Sequence, residues 1–261
     1  MSSLSFTHQT LKSGKILEYS ESVETEYRHV AIELLEALFR EFAKGSRRLH
    51  DPELNIEDPP YKYSERCFDS VVLPVLHRLC DGLVLAEYPM QRKGTEITGH
   101  VDYWCLYKGY SFLIEMKKSD CSLGAVIDEE IVSDRTLRCW RVMCNQLESL
   151  EDDAKEFVEK AKGIVPIGLH FVTVKSRADK WNQTERQLIQ SCKETMQAYA
   201  DVLSRPYKKN WKTRIHKTNY VASWIIPTEA RRCWDEEDLY PFVMLFGRIN
   251  PFIHHKGSGQ G

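Results

Sequence analysis

Apolar residues recur at helical spacing in four stretches of the chain. Between residues 23 and 45 they recur every four positions, which predicts an amphipathic helix. A second helix is predicted from Ser64, a favourable N-cap residue, and Pro74 inside its apolar pattern should kink or break it. Two further helices are predicted over residues 134–162 and 182–203.

Six other segments show the alternating or continuously apolar pattern of β-strands. Lys108-Gly109 is predicted to form the turn of a tight hairpin between two of them. The six segments are 82–88, 99–107, 110–117, 164–174, 220–226 and 242–249. The order is two helices, three strands, and then helices alternating with strands. This order favours an α/β fold with a mixed central β-sheet and helices on both faces.

The pattern divides the chain into segments of one domain, with no internal repeat and no long linker. Residues 1–60 are interpreted as an N-terminal helical extension, and residues 61–175 as the core. Residues 176–255 are an α/β extension of the same domain, and the Gly/Ser-rich residues 256–261 are a flexible tail. With 42% apolar residues in 261, the chain can bury a sizeable core.

Charge and cysteine content narrow the classes of function. The net charge of −2 argues against coating of nucleic acid by bulk charge, but leaves room for a local basic groove. The chain shows no signal peptide and no run of 18 apolar residues, so we expect no membrane association and a cytoplasmic protein, or a nuclear one in a eukaryote. The eight cysteines form no Cys-x-x-Cys pair, which favours free thiols over a zinc site.

The chemically informative segment is the hairpin around Lys108-Gly109. Residues 112–114 are apolar on both faces, as in a doubly covered central strand. Because side chains alternate along a strand, Glu115 and Lys117 share one face near its end. The hairpin brings Asp102 into the same region. The alternative is an ordinary strand end with exposed charges.

Two carboxylates beside a lysine have a use in phosphodiester chemistry. Mg²⁺ and Mn²⁺ prefer oxygen ligands, which Asp102, Glu115 and the Met116 carbonyl could supply. Such a metal polarises a phosphate oxygen and lowers the pKa of bound water. Lys117 could position that water, help to deprotonate it, or stabilise charge on the phosphate.

These residues resemble the core of the PD-(D/E)XK nuclease superfamily. The resemblance covers residues 61–175 and implies a restriction-endonuclease-like core of helix, three-stranded β-meander, helix and strand. Its motif aspartate falls on Asp102 and its Glu-x-Lys on Glu115 and Lys117. A helix glutamate of many members matches Glu65, which would assist in metal binding. Alternatively, Glu65 only complements the helix dipole.

A fifth candidate catalytic residue comes from some branches of that family. They place a glutamine on the helix after the meander, which matches Gln146. The tyrosine usual four residues later is Leu150 here, and Val101 stands where the family often has proline before its aspartate. The alternative for Gln146 is a residue on the helix surface.

The most basic stretch, residues 201–220, is the predicted nucleic-acid-binding region. Cations can neutralise phosphates, and interleaved aromatic residues can stack on unpaired bases. Alternatively, the stretch is a solvated loop. The candidate residues are Arg205, Lys208, Lys209, Trp211, Lys212, Arg214 and Lys217.

The resemblance thus implies a nuclease that depends on Mg²⁺ or Mn²⁺ and cleaves DNA, with RNA as an alternative substrate. Nucleic acid is the expected partner, and many relatives are homodimers. The competing hypothesis is a catalytically inactive module with the nuclease fold that binds nucleic acid or another protein. The intact set of Asp102, Glu115 and Lys117 argues against that hypothesis.

Overall fold

The computed structural model describes residues 4–22, 24–51, 56–57, 59–91, 98–123, 132–150, 161–209, 212–231, 237–251 and 253. Predictions for other residues, including the flexible tail 256–261, lie outside this described part. The strands are β1 (Thr7–Leu11), β2 (Gly14–Ser20), β3 (His50–Asp51), β4 (Ile56–Glu57), β5 (Val84–Gln91), β6 (Thr98–Tyr107), β7 (Tyr110–Ser122), β8 (Ile164–Arg177), β9 (Tyr207–Lys209), β10 (Lys212–Arg214), β11 (Tyr220–Ile225) and β12 (Asp238–Ile249). The helices are α1 (Glu26–Arg48), α2 (Glu65–Leu79), α3 (Asp134–Glu148) and α4 (Glu185–Leu203).

Eight strands form one sheet in the order β1-β2-β11-β12-β8-β7-β6-β5. β7 and β8 are parallel, whereas the other neighbouring strands in this sheet are antiparallel. The predicted α/β fold with a mixed central sheet is therefore confirmed. Strands from both ends of the chain join the sheet that contains β7.

Helices cover both faces of this sheet. On one face, Phe42 of α1 and Phe68 of α2 pack against Phe171 of β8, with ring centroids 4.8 and 5.0 Å from it. On the other face, Trp140 of α3 clusters with Val172, the next residue of β8, and with side chains of α4. The alternation of β8 thus places successive apolar side chains in two separate cores.

β7 is the central strand that the sequence predicts. Tyr107 pairs with Tyr110 across a two-residue turn, in which Lys108 and Gly109 both have positive φ angles, 48° and 80°. Such a turn matches the twist of the strands it joins, and glycine adopts this conformation readily. Residues 112–114 are fully or almost fully buried, as expected for a strand covered on both faces.

The N-terminal segment differs from the prediction of a purely helical extension. Residues 7–20 form the hairpin β1–β2, and β2 pairs with β11. β1 is an edge strand whose first four residues are exposed, so it lacks the apolar alternation that predicts a strand. Gly14 has a φ of 132° and lies so close to Trp224 and Ile225 that a Cβ atom there would clash with both.

Helix α1 continues beyond its predicted end near Gly45. A Cβ atom on Gly45 would lie 2.7 Å from Val71 Cγ1, so the glycine permits close packing of α1 on α2. Helix α2 likewise runs without interruption through Pro74, where a kink or break was expected. Burial of Phe68, Val71 and Val75 holds α2 against the core on both sides of the proline.

Helix α3 ends earlier than predicted, at Glu148 and not near residue 162. The Ser149 amide caps it by donating to the carbonyl of Asn145, and Leu150 is buried. The part of the prediction that covers residues 151–160 lies outside the described residues. Of the described helices, none combines the length and the apolar character needed to cross a membrane.

Candidate active site

The candidate site lies where β6 and β7 separate. Their pairing runs from Tyr107 and Tyr110 to Tyr103 and Ile114. Beyond this last pair, the Asp102 carboxylate takes the place of a backbone acceptor. It accepts a hydrogen bond from the Met116 amide, with 2.5 Å between oxygen and nitrogen. β7 continues beyond this point as the parallel partner of β8.

The ammonium group of Lys117 lies at the centre of the site. Its nitrogen is 2.6 Å from the Met116 carbonyl oxygen, 3.3 Å from a Glu65 carboxylate oxygen and 3.7 Å from an Asp102 carboxylate oxygen. The Lys117 side chain is only 17% exposed. Candidate residues from α2, β6 and β7 are thus brought to one point.

Glu65 joins helix α2 to this centre. One carboxylate oxygen accepts from Lys117, and the other accepts from the backbone amide of Lys118 at 2.9 Å. Glu65 is the first residue of α2 and its side chain is 37% exposed, so it is less buried than its alignment with Phe68 suggests. Its position in the first turn also suits the helix dipole, and the two roles are compatible.

Glu115 is the most buried carboxylate of the set, with 1% of the residue exposed. It lies on β7 beside Gly168 of β8, to which it is the parallel register partner. A Cβ atom on Gly168 would approach Met143 and Leu147 of α3 to 3.0 Å or less. α3 therefore covers the strand pair at the level of Glu115.

The charges at the site raise the pKa of Lys117. Burial lowers the pKa of this lysine, but the carboxylates of Asp102, Glu65 and Glu115 together outweigh burial and raise the pKa above its ordinary value of 10.5. Lys117 is therefore an ammonium ion at neutral pH. In this arrangement it acts as a cation among carboxylates and not as a base.

The oxygen atoms around Lys117 suit Mg²⁺ or Mn²⁺ in chemical type. Carboxylates and a peptide carbonyl are hard ligands, and three such oxygens already surround one cationic nitrogen. Yet in the described part of the chain no three His, Cys, Asp or Glu side chains lie together as a ready metal site. The Lys117 ammonium lies between Glu65 and Asp102, and it would have to move for these carboxylates to share a metal.

Gln146 lies on the flank of α3 that faces the site. It is two turns after Cys139, whose sulfur lies 3.8 Å from the Lys118 carbonyl oxygen, so the two residues share one stripe of the helix. Gln146 is half-buried. Its catalytic role stays a prediction.

The basic stretch lies on the opposite flank of α3. Arg141 of α3 stacks over the ring of Tyr207, at 4.7 Å from its centroid. Arg214 forms an ion pair with Glu148, which also binds Arg248 at 3.3 Å. Arg214 is therefore held by an ion pair within the fold and does not lie beside Lys117.

The other candidate nucleic-acid-binding residues are placed only in part. Lys208, Lys209 and Lys212 lie on the small hairpin β9–β10, and Trp211 lies outside the described residues. Arg205 and Lys217 are exposed. Binding by this stretch stays a prediction.

A buried polar chain behind the site was not predicted. His170, the register partner of Lys117, is fully buried, and its Nε2 atom lies 3.0 Å from the Ser119 hydroxyl. Thr136 donates to the same hydroxyl at 3.0 Å. Burial, and secondarily the charge of Lys117, lowers the pKa of His170 to about 3, so this histidine is neutral. In the sequence, the one sign of this polar chain was a histidine within an apolar strand.

No protein-family model matches the chain, and searches of curated proteins and of solved structures found no match.

Proposed function

We propose that this protein is a divalent-metal-dependent nuclease with a restriction-endonuclease-like core, and that it hydrolyses phosphodiester bonds in DNA. The observation that carries the proposal is the convergence of Glu65, Asp102 and the Met116 carbonyl on the Lys117 ammonium. This convergence occurs at a strand separation, where polar groups can be exposed to a substrate.

The order of elements around the site supports the proposal. Helix α2 is followed by the antiparallel strands β5, β6 and β7, then by α3 and by β8 parallel to β7. This is the order that the resemblance to PD-(D/E)XK nucleases implies. Glu65 begins the helix before the meander and Gln146 lies on the helix after it, as in that family.

Each residue has a role that its position permits. Asp102, Glu115 and the Met116 carbonyl would hold Mg²⁺ or Mn²⁺, with Glu65 assisting. Bound there, the metal supplies a Lewis acid and a water of lowered pKa. Lys117 orients the attacking water and neutralises charge that develops on the phosphate. Gln146 helps to orient the same water from α3.

The test is a cleavage assay with plasmid, linear duplex DNA, single-stranded DNA and RNA, each with Mg²⁺, Mn²⁺ or EDTA. We expect metal-dependent cleavage of DNA, and a loss of about 100-fold or more in Glu115→Gln and in Lys117→Ala. Glu33→Gln is the matched control, because Glu33 forms an exposed ion pair with Lys108 at the far end of the hairpin. Circular dichroism verifies that each variant is folded.

Cleavage that survives both site substitutions would refute the proposal. Cleavage of RNA alone would keep the mechanism and change the substrate. A second candidate, an inactive nucleic-acid-binding or protein-interaction module with the same fold, is favoured by one observation, since the Lys117 ammonium already partly neutralises Glu65 and Asp102. Absence of both cleavage and calorimetric Mn²⁺ binding would support that candidate.

A further inference from the structure

A cleft of about 650 Å³ opens beside the candidate active site. Glu65 belongs to both, because it lines the cleft and also contacts Lys117. The cleft lies between the start of α2 and the start of α3. Its lining residues are Lys62, Tyr63, Ser64, Glu65, Arg66, Lys118, Asp120, Arg135 and Cys139.

The two acids in the cleft are already engaged by neighbouring groups. Glu65 accepts from Lys117 and from the Lys118 amide, and Asp120 forms an ion pair with the Lys118 ammonium at 2.6 Å. Their negative charge is therefore partly neutralised inside the protein. The remaining charges that face the cleft are positive.

Arg66 and Arg135 supply much of this positive charge from opposite walls. Both are exposed, one in the first turn of α2 and the other in the first turn of α3. Neither guanidinium forms an ion pair with any residue that the structure describes. Because arginine can bind two phosphate oxygens at once, such a pair suits a phosphodiester backbone.

The charge of Arg135 also acts on the buried Lys118. Burial is the main cause that lowers the pKa of this lysine, and Asp120 opposes it. The positive charges of Lys175 and Arg135 lower the pKa further. Lys175 and Arg135 therefore lie close enough to Lys118 to act on its charge, and such positive charges attract phosphate.

A second opening of about 310 Å³ adjoins the cleft, and its charged lining residues are Asp120, Lys175, Arg177 and Asp238. Asp120 lines both openings, and Lys175 and Arg177 line the second one, at the end of β8. The two openings thus meet at Asp120, and the first of them reaches Glu65. Tyr63, 38% exposed, adds an aromatic side chain on which a base could stack.

We infer that this cleft binds the phosphate backbone of a nucleic-acid strand and leads it to the Glu65–Lys117 centre. Arg66 and Arg135 would contact phosphates from the two walls. The inference rests on the proposed function for the identity of the ligand, and it assigns substrate binding to these two arginines instead of to the stretch 205–217.

The experiment measures fluorescence anisotropy of labelled single-stranded and duplex oligonucleotides with the full chain in EDTA, so that no metal-dependent cleavage occurs. We expect the double variant Arg66→Glu/Arg135→Glu to raise the dissociation constant about tenfold or more, and to reduce its dependence on salt. The matched control, Arg205→Glu/Lys217→Glu, makes the same change in net charge within the predicted basic stretch. We expect it to change the dissociation constant by no more than about threefold.

Conservative variants test the chemistry of the contact. Arg66→Lys/Arg135→Lys keeps both charges, so binding should stay much closer to wild type than in the charge-reversal variant. Circular dichroism checks that all variants are folded. The inference is overturned if the wild-type protein binds neither oligonucleotide, or if the control weakens binding as much as the cleft variant does.

Failure of this inference is distinguishable from failure of the proposed function. Metal-dependent cleavage that Glu115→Gln abolishes, with unchanged binding by Arg66→Glu/Arg135→Glu, would retain the nuclease and overturn the cleft. Binding that depends on Arg66 and Arg135, without any cleavage, would support the cleft and refute the nuclease.

Discussion

The carboxylate of Asp102 accepts the backbone amide hydrogen of Met116, with 2.5 Å between oxygen and nitrogen. A side chain of β6 thus takes over a hydrogen bond at the position where the backbone pairing of β6 with β7 ends. The same carboxylate lies 3.7 Å from the Lys117 ammonium. Asp102 therefore stabilises the backbone at the point where the two strands separate, and it also forms part of the candidate active site.

Substitution of Asp102 should separate these two roles. Asp102→Asn keeps an oxygen that can accept the Met116 amide, so we expect nearly wild-type stability and a loss of Mn²⁺ affinity. Asp102→Ala leaves the amide without this acceptor, which should lower the free energy of unfolding by about 1–2 kcal/mol. Urea unfolding and titration calorimetry measure the two quantities. Equal stability of the two variants would contradict the structural role.

Removal of the Lys117 charge should strengthen metal binding while it abolishes cleavage. The ammonium contacts Glu65 and the Met116 carbonyl, so it competes with any cation for the same oxygens. Repulsion between charges about 4 Å apart is worth about 1 kcal/mol even in water. We therefore expect Lys117→Gln to bind Mn²⁺ about tenfold more tightly than wild type, as measured by calorimetry.

Lys108→Gln is the control for this experiment, because Lys108 forms an exposed ion pair with Glu33 in the wild type. It should leave Mn²⁺ affinity unchanged. Weaker Mn²⁺ binding by Lys117→Gln than by wild type would mean that the lysine supports the metal ligands and does not compete with the metal.

His170 should make the protein lose stability in mild acid. Its pKa is about 3 in the folded protein and near 6.5 in the unfolded chain. Between these values only the unfolded chain binds the proton, so stability falls as pH decreases from 6.5 towards 3, and this contribution is constant above 6.5. The slope from this group is at most about 1.4 kcal/mol per pH unit.

Urea unfolding at several pH values measures this slope. His170→Gln should be less stable at neutral pH, because it disturbs the bond to Ser119, but it should have a shallower slope below pH 6.5. His8→Gln is the control, because His8 is exposed on β1. A slope in His170→Gln equal to that of wild type would assign the acid sensitivity to other groups.

Glu148 should contribute to stability through its two arginine partners, with no effect on nucleic-acid binding. Arg214→Ala should lower the free energy of unfolding by about 0.5–1 kcal/mol, because the pair is partly exposed. Glu148→Ala should lower it further, since the ion pair between Glu148 and Arg248 is lost as well. A double-mutant cycle with Arg214 measures the coupling. A loss of nucleic-acid affinity in Arg214→Ala would restore this residue to the predicted binding surface.

The local sequence pattern was sufficient to predict β7, the strand that carries Glu115 and Lys117. Continuous apolar residues at 112–114 require cover on both faces, and the two-residue turn at Lys108-Gly109 fixes the hairpin register. The α/β class also follows from the order of periodicities. Local signals wrongly predicted that α1 ends near Gly45 and that α2 breaks at Pro74. Packing of the two helices on each other and on the core overrides the local preferences of glycine and proline.

Alternation along β7 is enough to identify Glu115 and Lys117 as candidate chemical groups, because side chains two positions apart share one face of a strand. The groups that meet these two residues come from distant segments, and the packed fold places them there. Glu65 reaches Lys117 from 52 residues away, and Arg66 faces Arg135 across a cleft. Such contacts depend on how helices pack across a sheet, and no periodicity within either segment specifies the partner.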